Sequence, residues 1–221
     1  MAVTMFAYGR MQESQWAGEI NFLTDTIKAM LLSSYTIGTT QDTARYLSDV
    51  VTAGVGVEAT GGGNTGYTAG GQTLTGKVAS YTAANTWGTQ RANSTAYSVG
   101  DVVRPASGNG YVYQAIVSGT SGGSVPTYPT VLGQTVTDGG VTWACVGRGV
   151  MLIDATDPSW TTINPGILTA THVVFFKSTG TPATSPLLLC WDLGGPQSAS
   201  NGGPLTPQLD GTEGLLVSFT S

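Results

Sequence analysis

Charge is what this chain has least of: Asp, Glu, Lys and Arg make up 10% of its 221 residues, against about 25% in an ordinary soluble domain. Few ion pairs can form, so stability has to come from apolar burial and backbone hydrogen bonds. Thirteen acidic against eight basic residues leave a formal net charge of -5, which repels a phosphate backbone and provides no basic stripe; nucleic acid is not an expected partner. Histidine occurs once and cysteine twice. That is too few for a four-ligand zinc site unless carboxylates join it, and too few for the disulfide framework of a small secreted scaffold. No metal and no cofactor are expected. No run reaches the roughly 18 apolar residues of a membrane span, and Met1–Gln12 lacks the charged start and apolar stretch of a signal peptide. The expectation is a chain neither inserted in a membrane nor conventionally secreted.

Glycine, by contrast, occurs 32 times, with Thr and Ser recurring throughout. Together with 40% hydrophobic residues, this is a turn-rich β composition that is too apolar for disorder of the whole chain. The apolar runs locate strands at Thr26–Leu32, Val150–Asp154, Ala170–Lys177, Leu187–Leu193 and Leu215–Phe219. Thr39–Asp42 reads as a helix start, with Ala44, Leu47, Val50 and Val51 spaced to bury one face of a helix of at most about three turns. Gly54–Gly76 is expected to be a glycine-rich loop with one or two short pairings. It is not a phosphate cradle, because Gly76-Lys77 leads into the strand-like Val78–Tyr81 instead of opening a helix. Gly194–Gly211, rich in Gly and Pro, reads as an exposed loop or contact arm.

Between Trp87 and Arg148 the chain changes character. Short strands at Asp101–Arg104, Tyr111–Val117 and Val141–Val146 carry their own aromatic set. If that stretch is cut out, Val78–Tyr81 runs through a short turn into Met151–Asp154, an ordinary hairpin, and hairpin tips tolerate insertions well. The expected fold is therefore all-β with one short helix. A β-sandwich or barrel-like main domain (1–86 plus 149–221) carries an inserted small β-domain (87–148).

Candidate chemistry is sparse. His172 sits in a strand with no Gly-x-Ser-x-Gly elbow elsewhere to complete a serine triad, so a structural role is expected. Asp154, Asp157 and Asp210 are the carboxylates a glycosidase would draw on, but Asp154–Trp160 reads as a strand end followed by an Asp-Pro turn, where capping is the commoner task. The same segment has too few oxygens for a calcium loop. Cys145 and Cys190 each lie in an apolar run and are expected to be buried free thiols; a bridge between them would tie the two halves together. Pyranose rings present apolar C–H faces that pack on Trp and Tyr. The candidate glycan contacts are therefore Trp87, Tyr97, Tyr111, Tyr113, Tyr128 and Trp143, although in so small a domain several of them must form the core.

Four segments together resemble a family of tailed-bacteriophage virion proteins described as structural, decoration or head-fibre proteins. They are Leu31–Tyr35, Gly66–Leu74, Asp154–Trp160 and Lys177–Leu187, in that order, and the resemblance covers most of residues 20–87 and 150–220. Within the insert, Ala96–Val103, Gly110–Ala115 and Trp143 resemble a small chitin-binding type of carbohydrate module; Gly119–Trp143 departs from its shortest forms and is similar to versions appended to phage structural proteins. These resemblances imply a non-enzymatic protein made in the host cytoplasm and carried on the outer surface of the virion. Its implied partners are the major capsid protein or other virion proteins, and weakly bound cell-surface glycans. Long apolar strands and low charge favour extended contact surfaces, from which a homotrimer is expected. A tail, baseplate or fibre component that contacts the host receptor is the alternative, and a glycan-degrading enzyme is the alternative from another class.

Overall fold

A computed structural model of the chain describes residues 4–59, 66–161, 167–200, 202–207 and 216–220. In chain order its first strands are β1 (Thr4–Ala7), β2 (Ile27–Tyr35), β3 (Gly56–Glu58), β4 (Gln72–Thr73), β5 (Val78–Ala83) and β6 (Thr89–Gln90). Next come β7 (Ala96–Tyr97), β8 (Val102–Arg104), β9 (Val112–Val117), β10 (Gly119–Thr120), β11 (Thr135–Asp138) and β12 (Val141–Gly147). The last four are β13 (Gly149–Asp154), β14 (Ile167–Lys177), β15 (Leu187–Ser200) and β16 (Leu216–Thr220). Three short helices accompany them, α1 (Met11–Trp16), α2 (Thr40–Thr43) and α3 (Ser48–Val51), with a 3₁₀ turn at Pro182–Thr184. The chain is all-β. It divides into two compact units, one containing the residues up to Val78 and Asp154–Leu216, the other Ala79–Ile153 and the chain from Val217 onward.

The first unit is built on a six-stranded sheet ordered β1-β15-β14-β2-β3, with β4 also on β2. Its central strands read as solid apolar runs because both faces are covered. Ile27, Ala29, Met30, Leu31 and Leu32 of β2, Val173–Phe176 of β14 and Leu187–Trp191 of β15 are all buried. On one face Met30, Leu32, Val174, Phe176 and Cys190 pack with Ala44, Leu47 and Val50 from the helical segment.

That segment corrects the expectation of one continuous helix. Ala44 turns extended (φ -68, ψ 133) at the end of α2, and the chain then runs along the start of β15. Leu187 N–H donates to the Arg45 carbonyl at 2.8 Å, Leu47 N–H to the Ser185 carbonyl at 2.8 Å, and Tyr46 forms a β-bridge with Pro186. Asp49 accepts from the Arg45 and Tyr46 N–H groups at 2.8 and 2.9 Å, so the donors left over by the break are satisfied. The apolar spacing did mark which residues face the core; helix-internal hydrogen bonds lost to tertiary ones.

The second correction concerns Gly194–Gly211. Strand β15 continues to Ser200 by pairing with β14, Ile167 opposite Ser200 and Ala170 opposite Gln197. The register then jumps to His172 opposite Asp192. Leu193–Pro196 is thus a bulge, the place in a strand where a proline without an N–H is tolerated. Asp210 and Gly211 lie outside the described residues, as do residues 60–65 of the glycine-rich stretch. That stretch does supply two short pairings, β3 and β4, both on β2.

The second unit contains a five-stranded sheet, β11-β12-β9-β8-β6, a two-stranded β10-β7 pair, and the β16-β13-β5 sheet but for end residues. Strands β5 and β13 are neighbours, and both fall in the second unit but for Val78 and Asp154. Where they end, Ala84 N–H donates to the Arg148 carbonyl at 2.9 Å, so the two ends of the stretch between them lie side by side.

Candidate functional site

The six aromatic candidates sort by depth. Trp143 and Tyr113 are fully buried and Tyr128 nearly so, and with Val103, Ala115, Val141 and Cys145 they form the core of the second unit. Strand alternation explains this: Val141, Trp143 and Cys145 on β12 face inward together. The Tyr113 hydroxyl donates to the Pro129 carbonyl at 2.7 Å and accepts from Asn109 Nδ2 at 2.6 Å. Its ring lies 4.3 Å from that of Tyr128. None of these three rings has a free face for a ligand. Tyr111 is half-buried and accepts a hydrogen bond from Arg148 Nη2 at 3.0 Å, with the guanidinium 5.2 Å from its ring centroid.

Trp87 and Tyr97 differ from the others. Together with Gly88, Thr89, Ala96, Asp101, Val102 and Val103 they line an open groove of about 390 Å³, within the size range of small-molecule sites. Its floor follows from strand register. Strand β6 runs parallel to β8 with Thr89 beside Val103 and Gln90 beside Arg104, and Trp87 and Gly88 line the groove just ahead of that pairing. Gly88 makes the approach possible: it has φ +66, and a side chain there would meet the Val102 carbonyl at 3.1 Å. Tyr97 is held from behind, its hydroxyl accepting from Ala92 N–H at 2.8 Å and its ring set edge-to-face on Trp143, 4.9 Å between centroids. Trp87 Nε1–H is covered and has no acceptor among the described residues. Asp101 Oδ2 accepts from Ser98 N–H at 2.7 Å, closing the Ser98–Asp101 turn.

The second unit also holds a feature that sequence reasoning missed, a buried ion pair between Arg91 and Asp138. Their side chains are 1% and 2% exposed and Nη2–Oδ1 is 2.7 Å. Asp138 also accepts from Arg91 Nε at 2.9 Å, Trp143 Nε1 at 3.0 Å and Gly122 N–H at 2.9 Å. Arg91 donates further to the carbonyls of Gly122 and Ser124 at 2.6 and 3.0 Å and to the Asn93 side chain. The network ties the long Gly119–Ser124 connection to the core. The only local signal for it was the Asp138-Gly139-Gly140 turn, where a Gly139 side chain would meet the Thr120 carbonyl at 2.6 Å.

None of the catalytic candidates lines that groove. His172 is mostly buried in the six-stranded sheet, Nδ1 2.8 Å from Thr171 Oγ1 and Nε2 3.9 Å from Asp192 Oδ1. Burial pushes its pKa below the ordinary histidine value, opposed by the Asp192 charge. Asp154 accepts from the following Ala155 N–H at 2.8 Å, as a turn former does. Asp157 is raised by burial and by the Asp154 charge. Cys145 and Cys190 are both buried free thiols, raised by burial and therefore poorly nucleophilic. Among the described residues no group of three or more His, Cys, Asp or Glu side chains is placed to hold a metal ion, and no helix is long and apolar enough to cross a membrane.

No family model, curated protein or solved structure matches the chain.

Proposed function

We propose that this chain is a structural protein of a tailed-bacteriophage particle, carried on the capsid surface as a decoration or head-fibre protein, and that its second unit engages glycans through the Trp87–Tyr97 groove. The observation that carries the binding role is the sorting of aromatics. In a unit that spends Tyr113, Tyr128 and Trp143 on its core, two further rings line an open groove, a geometry suited to stacking sugars. The virion role rests on the sequence resemblance and on a composition poor in charge. Copies displayed on a particle act together, so weak single-site binding suffices for adhesion. The protein assembles as a homotrimer; Trp16 on α1, 90% exposed, is the kind of side chain that subunit contacts bury.

The test is a phage carrying this gene with residues 88–147 deleted. Since Ala84 and Arg148 are hydrogen-bonded neighbours, a short Gly-Ser turn closes the gap. The expected particle assembles, carries the shortened protein on its head in a cryo-EM reconstruction, and no longer adheres to glycans. Unchanged adhesion removes the glycan role, failed assembly makes the insert a structural contact, and density on the tail moves the protein to the baseplate or fibre.

A further inference from the structure

We infer that the Trp87–Tyr97 groove selects an amine-bearing sugar, its protonated amino group seated against the Asp101 carboxylate beside the two aromatic rings. The inference rests on the glycan-binding reading above and goes beyond it by assigning the ligand a charge.

Three observations lead there. The eight groove residues include one charged side chain, and it is acidic. That carboxylate lines the same groove as the Trp87 and Tyr97 rings, so aromatic surface and an anion are offered to one ligand. Finally, only Oδ2 of Asp101 is engaged, by Ser98 N–H; Oδ1 has no hydrogen-bond partner among the described residues and remains available as an acceptor.

The chemistry follows from electrostatics. An aromatic face is the negative part of the ring quadrupole and attracts ammonium groups. A carboxylate beside it adds a charge-assisted hydrogen bond, stronger than a neutral one. An N-acetylated or plain neutral pyranose retains the stacking and gives up the ionic contact. A uronic acid or a phosphorylated sugar places like charges together and is repelled. The arrangement is largely set before a ligand arrives, since Tyr97 is fixed by Ala92 N–H and Trp143 and Asp101 by its turn.

The experiment uses the full chain, calorimetric or NMR titration at pH 6 in 150 mM salt, and three probes: tetramers of glucosamine, of N-acetylglucosamine and of galacturonic acid. The glucosamine tetramer is expected to bind at least tenfold tighter than the N-acetylated one, and the galacturonic tetramer not at all. Asp101→Asn keeps an acceptor for Ser98 N–H and should erase the tenfold preference while sparing stacking; Trp87→Ala should weaken both tetramers. Equal or tighter binding of the N-acetylated tetramer overturns the amine selection and leaves the glycan reading standing. Binding of none of the three overturns both. A glucosamine preference that survives Asp101→Asn is attraction of a polycation to an acidic chain and overturns the assignment of the site.

Discussion

Replacing Asp138 with alanine leaves the Arg91 guanidinium buried without its counter-charge and strips Trp143 Nε1–H and Gly122 N–H of their acceptor. Removing one partner of a buried pair costs about 3–5 kcal/mol, because the charge left behind is neither paired nor hydrated. The second unit, roughly 75 residues between Ala79 and Ile153, has a total stability of about 4–11 kcal/mol at typical per-residue values. The substitution therefore consumes about a quarter of it or more, lowering the urea midpoint by about 1–5 M at the slope of a small domain, about 1–3 kcal/mol per M. Amide hydrogen exchange reads the change locally: protection across Val112–Val117 and Val141–Gly147 should collapse, while Ile27–Tyr35 in the other unit serves as the internal reference. The double substitution Arg91→Met with Asp138→Leu should recover the part of the loss due to the unpaired charge, while Trp143 Nε1–H and Gly122 N–H stay without their acceptor. Acid probes the same network. Burial alone would raise the Asp138 carboxyl, but the hydrogen bonds from Arg91, Trp143 and Gly122 outweigh it and hold the group below its ordinary value. A depressed folded-state pKa contributes stability that is complete above the unfolded value and drains away as pH falls through the folded one. The second unit should accordingly weaken below about pH 4, and Asp138→Ala should flatten that dependence. A loss under about 1 kcal/mol on Asp138→Ala would refute the reasoning.

Three other outcomes are expected. Trp143→Ala, at a fully buried site, should cost about 3–5 kcal/mol in urea denaturation of the second unit, whereas Trp87→Ala should cost less than half as much and be read out in glycan binding. Gly71→Ala should destabilise the first unit by about 1–2 kcal/mol through its left-handed backbone alone, and by more because the new side chain would meet the Ala29 carbonyl at 2.5 Å; thermal unfolding measures it. The single His172 gives one imidazole NMR signal, whose titration midpoint should lie below 6.5 because burial disfavours the cation. Asp192→Asn should lower that midpoint further. Stability from the neutral ring is complete above the unfolded value and declines as pH falls through the folded one.

Much of the sheet could be read without any structure. Met30–Leu32, Val173–Phe176 and Leu187–Leu193 do not alternate, because strands in the middle of a sheet covered on both faces need apolar groups on both. The buried positions around the helix, Ala44, Leu47 and Val50, followed from spacing alone. The glycine- and threonine-rich composition set the all-β class, and within residues 87–148 the apolar runs marked β8, β9 and β12.

Tertiary contacts decided what local pattern could not. The helix after Thr39 breaks at Ala44 because residues 45–47 pair with Ser185–Leu187, a partner about 140 residues away that no local propensity encodes. Gly194–Ser200 has the composition of a loop and is nevertheless a strand, recruited by the free edge of Ile167–Ala170. Tyr97 and Tyr113 are the same residue type in similar strand sequences. One ring lines the groove and the other is sealed in the core, since the face a side chain takes depends on register with strands elsewhere in the chain. Arg91 and Asp138, 47 residues apart, look like two ordinary surface charges until the fold buries them together. Burial is a property of the assembled unit, and it alone makes that pair costly to break.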